Sequence, residues 1–321
     1  MKRHFFTSLF LLLFLVGSIN ATKWRVNNTP GIDADFSSFK LAHDGASYGD
    51  TLMFEGSNNA YGVHDTLFKQ LTIIGPGYFL SENDSTNDNI MAAKLGALYL
   101  DSLASESIIM GMWIDALIID ASNIIVQRNR VNGAISLCHH KSVQKVILSK
   151  NYVGDISTRW GDFNRLFATS LVITNNIVTN NISLNGGSSA TIINNVISNQ
   201  LHCSNSIVKS NIIYSNNNYE NTLYEYNLFV WNKPSGIGNV DVEVWEDLFL
   251  VGEDSHDGAY VLSENSLAKN AGEANVDCGV FGGTDPYILS GYPPLPVIFN
   301  VEIPATATES LLIKLEARSQ K

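Results

Sequence analysis

The residues best placed to do chemistry in this 321-residue chain form a basic cluster near its middle. Arg128 and Lys150 each stand one position before an asparagine, Asn129 and Asn151, in two copies of one short pattern, and Arg130 follows the first asparagine. His139, His140, Lys141 and Lys145 lie between the two copies; Asp155, Arg159, Trp160 and Asp162 follow the second. A cationic strip with histidines is a suitable seat for an acidic sugar, because basic side chains neutralise its carboxylate and a basic group can accept a proton in an elimination. The bland alternative is a solvated face whose like charges are tolerated in water and balanced by nearby acids.

What brings these residues together is the pattern itself: three largely apolar residues, two variable ones, Asn, one variable residue, then an apolar one. It occurs six times: Ile124–Val126 with Asn129, Val146–Leu148 with Asn151, Leu171–Ile173 with Asn176, Ala190–Ile192 with Asn195, Ser206–Val208 with Asn211, and Thr222–Tyr224 with Asn227. Short β-branched runs recurring every 16 to 25 residues indicate stacked coils. Equivalent residues then lie about 4.8 Å apart on neighbouring coils, which is expected to set Arg128 directly above or below Lys150. The asparagines suit a sharp corner with left-handed backbone angles, and their amides can donate to one neighbour while accepting from the other. Asn129, Asn151, Asn176, Asn195, Asn211 and Asn227 are therefore expected to be a structural ladder and not a ligand site. The residues five and three before each Asn, and two after it, are expected to point inward.

Residues 1–21 read as a secretory signal peptide: Lys2, Arg3 and His4, then the apolar run Phe5 to Val16, then small residues up to Ala21. No later stretch approaches 18 apolar residues, so no membrane span is expected, and no Cys follows the apolar run to carry a lipid anchor. Setting residues 1–21 aside removes Lys2 and Arg3 and leaves 18 basic against 31 acidic residues, a charge of about −13. Such a field argues against nucleic acid as a partner. Cys138, Cys203 and Cys278 have neither zinc nor redox spacing and are expected to be interior fillers, any disulfide among them being left open. Acids gather at 241–257, where Asp254 and Asp257 beside Gly258 offer a possible Ca²⁺ loop; without EF-hand spacing, a solvated loop is the expectation. No other cofactor is implied. Trp231, Trp245, Tyr219 and Tyr226 are the other aromatics suited to stacking on sugar rings.

The remaining chain divides into an N-terminal cap (22–60), coils (61–258) and a C-terminal cap and tail (259–321). Lys23–Val26 reads as a strand, and Phe36, Phe39, Leu41, Ala42 and Ala46 mark one face of a short helix. Gly49–Phe54, then Tyr61-Gly62, then Lys69–Gly75 resembles the entry pattern of exported bacterial β-helix proteins. Ser266–Gly272 followed by Val276–Gly283 is similar to their exit pattern, departing from it at Leu267 and at Lys269-Asn270; Asp285–Gly291 and Pro293–Pro296 resemble their tail. On these motifs the chain resembles the pectate-lyase-like right-handed parallel β-helix superfamily over nearly all of its mature length. The resemblance implies an all-β, single-stranded right-handed parallel β-helix, a solenoid of nine to eleven coils with a helical N-terminal cap and a C-terminal strand cap. It also implies export to the periplasm, cell surface or medium, and contact with polysaccharide along one sheet. Three functions follow from it: a glycan-contacting surface protein without a defined catalytic set, a polysaccharide lyase (or hydrolase) on an acidic polymer, or a structural, adhesive protein. In the lyase reading Arg128, Lys150 and His139 or His140 supply charge neutralisation and the base, with Arg130, Lys145, Arg159 and Trp160 contacting the ligand.

Overall fold

The computed structural model describes residues 21–83, 89–158, 166–217, 220–252, 254–304, 310 and 312–318. The expected leader, residues 1–20 at least, lies outside them. The described chain is a parallel β-helix built on two long sheets. One has ten strands, running from Lys23–Val26 to Leu223–Glu225; the other has eleven, from His64–Leu67 to Val240–Asp241. Every pairing within them is parallel, and successive coils align with the predicted register: Val126 pairs with Leu148, and Leu148 with Ile173. Among the described residues no helix is long and apolar enough to cross a membrane.

The repeat explains the coil. In the first copy Ile124, Val126 and Val131 are fully buried, as are Val146, Leu148 and Val153 in the second. Each such side chain contributes roughly 1.5–3 kcal/mol on leaving water. Cys138 and Cys203 belong to this interior and Cys278 to a second apolar cluster; all three thiols are free and buried. Burial pushes the first two up to about 11 and Cys278 to about 12.

The ladder has the expected chemistry but not the expected backbone. Asn151 Oδ1 accepts from Asn129 N at 3.0 Å and Asn129 Nδ2 at 3.2 Å, while Asn151 Nδ2 donates to Val126 O at 2.9 Å and to Asn176 Oδ1 at 2.9 Å. The same bonds continue through Asn195, Asn211 and Asn227 to a further rung, Asn239. The left-handed residue, however, is the one before each ladder asparagine. Arg128, Lys150, Asn175, Asn194, Ser210 and Tyr226 all have φ between 54° and 56°. That turn aims the following asparagine inward, so the corner and the ladder are the work of adjacent residues.

At the N-terminal end a helix spans Phe39–Gly45, with Ser38 Oγ accepting from Leu41 N at 3.2 Å as its cap. Phe39 and Ala42 are buried against Phe54, but Leu41, expected on that face, points outward. The strand expected in the C-terminal cap and tail is present as Lys314–Arg318, yet it pairs antiparallel with Val297–Glu302 in a sheet of its own and not with the last coil. Most of the expected C-terminal cap does something else: it returns along the flank of the coils.

Candidate functional site

That return decides the fate of the basic strip. Residues 276–292 run back over the column of left-handed corners, contacting it coil by coil. Cys278 Sγ donates to Tyr226 O at 3.2 Å, and Gly279 N to Ser210 O at 2.9 Å. Asn175 Nδ2 donates to Val280 O at 2.8 Å and Gly282 O at 3.0 Å. Gly283 passes Asn194 in a left-handed conformation (φ +79°) that favours glycine. Lys150 is ion-paired with Asp285, and Arg128 Nη1 donates to Tyr292 O at 2.6 Å. Arg128 and Lys150 thus do occupy equivalent positions on neighbouring coils, but they are 6% and 3% exposed and grip a strap. They form no open cationic strip. Burial lowers the Arg128 guanidinium from its ordinary value, with Asp285 and Tyr78 opposing the shift.

A second tie secures the strap's far end. Asp257, fully buried, accepts from Tyr287 Oη at 3.1 Å and Ser290 N at 2.7 Å on one oxygen, and from Asn83 Nδ2 at 3.0 Å and Ser255 Oγ at 2.7 Å on the other. Tyr78 and Tyr287 share a hydroxyl–hydroxyl bond of 2.6 Å beside it. Asp257, considered above for a Ca²⁺ loop, is therefore committed to joining three chain segments. Exposed Asp254 does not share its environment.

The outer face of the eleven-stranded sheet is open in part: Ile177, Val196, Ile212 and Leu228, which continue Arg130's register column, are buried in the second apolar cluster, while the earlier coils and the adjoining column reach the surface. Arg130 lies there, stacked on aromatic rings: its guanidinium carbon is 3.7 Å from the Trp113 ring centroid and 4.3 Å from that of Phe79. Lys94 Nζ stands 4.7 Å from the same Trp113 ring. Lys94, Trp113 and Arg130 are register partners on three successive coils, so the column is set by strand pairing. Burial lowers the Arg130 guanidinium from its ordinary value, and its Nε is enclosed with no hydrogen-bond partner. Phe79 also carries the exposed ring of His256, stacked at 4.9 Å, whose Nδ1 is 2.8 Å from Glu82 Oε2.

Beside this column runs a row of carboxylates and amides. Asp115, Asp155 and Asn199 sit where the sheet register slips, between Ile114 and Leu117, Val153 and Asp155, and Ile197 and Gln200, and Asn180 lies in the break between Ile177–Val178 and Ile182–Ser183. Such bulges re-aim side chains outward. Asn132 Nδ2 donates to Asp115 Oδ1 at 2.8 Å. Asp155 accepts from Asn180 Nδ2 at 3.0 Å and Asn181 Nδ2 at 3.0 Å, and Asn199 Nδ2 donates to Asn180 Oδ1 at 3.2 Å. Between the two groups, Gly133 and Gly154 bring backbone to the surface; a Cβ on Gly154 would lie 2.6 Å from Gly133 O. Amides and carboxylates with lone pairs and N–H groups to spare suit the paired donor–acceptor character of sugar hydroxyls.

The other predicted site residues are dispersed. Lys145 is exposed at the opposite left-handed corner (φ 55°), away from Arg130's sheet. His139 and His140 lie in the turn after Arg130–Leu137, next to Asp120. Arg159 and Trp160 lie outside the described residues. Trp231 is 60% exposed at the end of its strand, whereas Trp245 packs on Tyr214 and Phe249. Lys94, Trp113, Asp115, Asn132, Asn180 and Asn199 escaped sequence reasoning. A signal was there: a polar residue three or four positions after the ladder asparagine recurs as Asn132, Asp155, Asn180, Asn199 and Ser215.

Fold and face together define a parallel β-helix solenoid with one strapped flank and one polar, partly aromatic sheet face. No protein-family model, curated protein or solved structure matches this chain.

Proposed function

We propose that this is an exported protein of the pectate-lyase-like β-helix type that binds a glycan along the outer face of its eleven-stranded sheet. The observation that carries the reading is the bulge-borne row Asp115–Asn132 and Asp155–Asn180–Asn199 beside the Lys94–Trp113–Arg130 column. Together they offer hydroxyl-matching groups on consecutive coils, an aromatic surface, and two cations for an acidic substituent. The coil repeat favours an extended ligand, because each added coil offers another contact about 4.8 Å along the axis. Arg128 and Lys150 are held by the strap, so the reading is of binding and not of cleavage. The entry and exit motifs support the family, and the charged start with its apolar run supports export.

The test is titration of the mature chain with acidic and neutral polysaccharides found by glycan array. Trp113→Ala should weaken binding about 30-fold, the equivalent of the ~2 kcal/mol of an aromatic anchor. Asn132→Ala and Asn180→Ala should each weaken it, while Lys145→Ala should not. Binding indifferent to all three face substitutions would refute the assignment. Appearance of unsaturated uronate would replace it with the lyase reading, and silence on every glycan would favour the adhesive one.

A further inference from the structure

We infer that Asp120, His139 and His140 form a binding site for a divalent transition-metal ion of the zinc class. Each of the three offers a ligand atom, and these atoms all lie within 4.8 Å of one another. Asp120 follows the strand Trp113–Ile119, and the histidines follow the next coil's Arg130–Leu137. Cys138, left-handed at φ 61°, is the turn that delivers them over Asp120.

The carboxylate is already fixed. Asp120 is 2% exposed and accepts from His140 N at 3.0 and 2.9 Å, from Lys141 N at 3.4 Å, and from Tyr99 Oη at 2.8 Å. A carboxylate has about four lone-pair sites, and each oxygen here accepts two of the four contacts, so an ion would take the place of the longest of them, Lys141 N at 3.4 Å. Above it, His139 Nδ1 faces His140 Nε2 at 2.8 Å, with the rings perpendicular and their centroids 4.2 Å apart. Two imidazole nitrogens this close share a single proton, one ring donating and the other accepting.

A zinc ion can take that proton's place, the proton passing through solvent to the other nitrogen of the ring that held it, so that each imidazole binds through a lone pair. Bonds of about 2.0–2.1 Å at a tetrahedral angle put the two nitrogens about 3.3 Å apart. The rings therefore need to open by only about 0.5 Å, a small side-chain rotation. One Asp120 oxygen supplies the third ligand at about 2.0–2.2 Å, leaving the fourth position to water. His140 is exposed and His139 half-buried, so the ion enters from solvent without unfolding the turn. Two imidazoles select zinc, copper, nickel or cobalt over calcium or magnesium, which prefer all-oxygen sites.

Calorimetric titration of the mature chain with zinc chloride tests this, with cobalt(II) absorption as a second readout. The expected result is one ion per chain and a tetrahedral cobalt spectrum. His139→Ala and His140→Ala should each weaken binding about tenfold or more, and Asp120→Asn about 10–100-fold. His256→Ala should leave it unchanged. The two histidine variants lie at the surface and keep the Asp120 bonds to backbone, so their circular dichroism should match wild type and their readout is independent of folding. The proposal is overturned if no stoichiometric binding is seen, if binding survives both histidine substitutions, or if cobalt shows only the spectrum of the hydrated ion.

Discussion

Removing the carboxylate of Asp285 should loosen the C-terminal strap without unfolding the coils. The Lys150 side chain is 4% exposed and Asp285 is the charge that meets it, although Asp285 itself is 80% exposed. Exposed pairs are worth about 0–1 kcal/mol, whereas stranding one member of a buried pair costs about 3–5 kcal/mol. With one partner enclosed and the other in water, Asp285→Ala should cost about 2 kcal/mol, midway between those limits. At about 1.4 kcal/mol per tenfold, the strap-open population rises roughly 30-fold. Cys278 reports on that opening: it belongs to the strap itself and its buried thiol donates to Tyr226 O beneath, whereas Cys138 and Cys203 sit inside the coils. Thiol labelling followed by peptide mapping reads the three separately. Cys278 should label about 30-fold faster in Asp285→Ala, with the other two unchanged. Adding Lys150→Met to Asp285→Ala removes the stranded charge and should restore most of the protection. Equal acceleration of all three thiols would mean global unfolding. No acceleration, or a double variant as labile as the single one, would sink the idea that this pair holds the strap.

The ladder and the N-terminal cap give two further tests. Asn176→Ala leaves the Asn151 backbone N–H without its acceptor at 2.9 Å and Leu148 O without its donor at 2.8 Å. At about 1–3 kcal/mol per orphaned group, urea unfolding should show a loss of about 3–4 kcal/mol; a loss under about 1 kcal/mol would refute a ladder role. Burial would raise the Asp50 carboxyl, but bonds from Thr22 N, Trp24 Nε1 and Ser47 N outweigh it and hold the group below its ordinary range. Because its folded pKa lies below the unfolded value of about 3.9, Asp50 contributes stability that is complete above that pH and lost as pH falls through the folded pKa. The Trp24 indole N–H resonance should therefore lose exchange protection at acid pH below about 4, and Asp50→Asn should be unprotected at neutral pH as well; equal protection in both proteins would exclude the carboxylate as the cause.

The parts of this molecule legible in its sequence are those that repeat. Each coil meets the same need at the same place, so the ladder asparagines and their inward neighbours announce themselves by period. Asn239 shows where that ends: Pro234-Ser235-Gly236 stands in place of the apolar triplet and Asp241 in place of the inward residue, yet its side chain still accepts from Asn227 N at 3.0 Å. Strap contacts have no such period. Lys150 meets Asp285 across 135 residues and Arg128 meets Tyr292 across 164, and nothing local to either partner marks the contact. The register correctly aligned Arg128 with Lys150 but could not say what covers them. The same alignment carries a warning about basic pairs on solenoids. The column continues through Asn175, Asn194, Ser210 and Tyr226, which pass from amide to hydroxyl to phenol but all lie under the returning chain. A catalytic set would demand particular residue types on one or two coils, whereas a docking column tolerates any side chain that finds a partner. Diversity down a single column is therefore itself evidence of docking, and the chemically uniform row of carboxylates and amides on the other sheet is where selection for a ligand is to be sought.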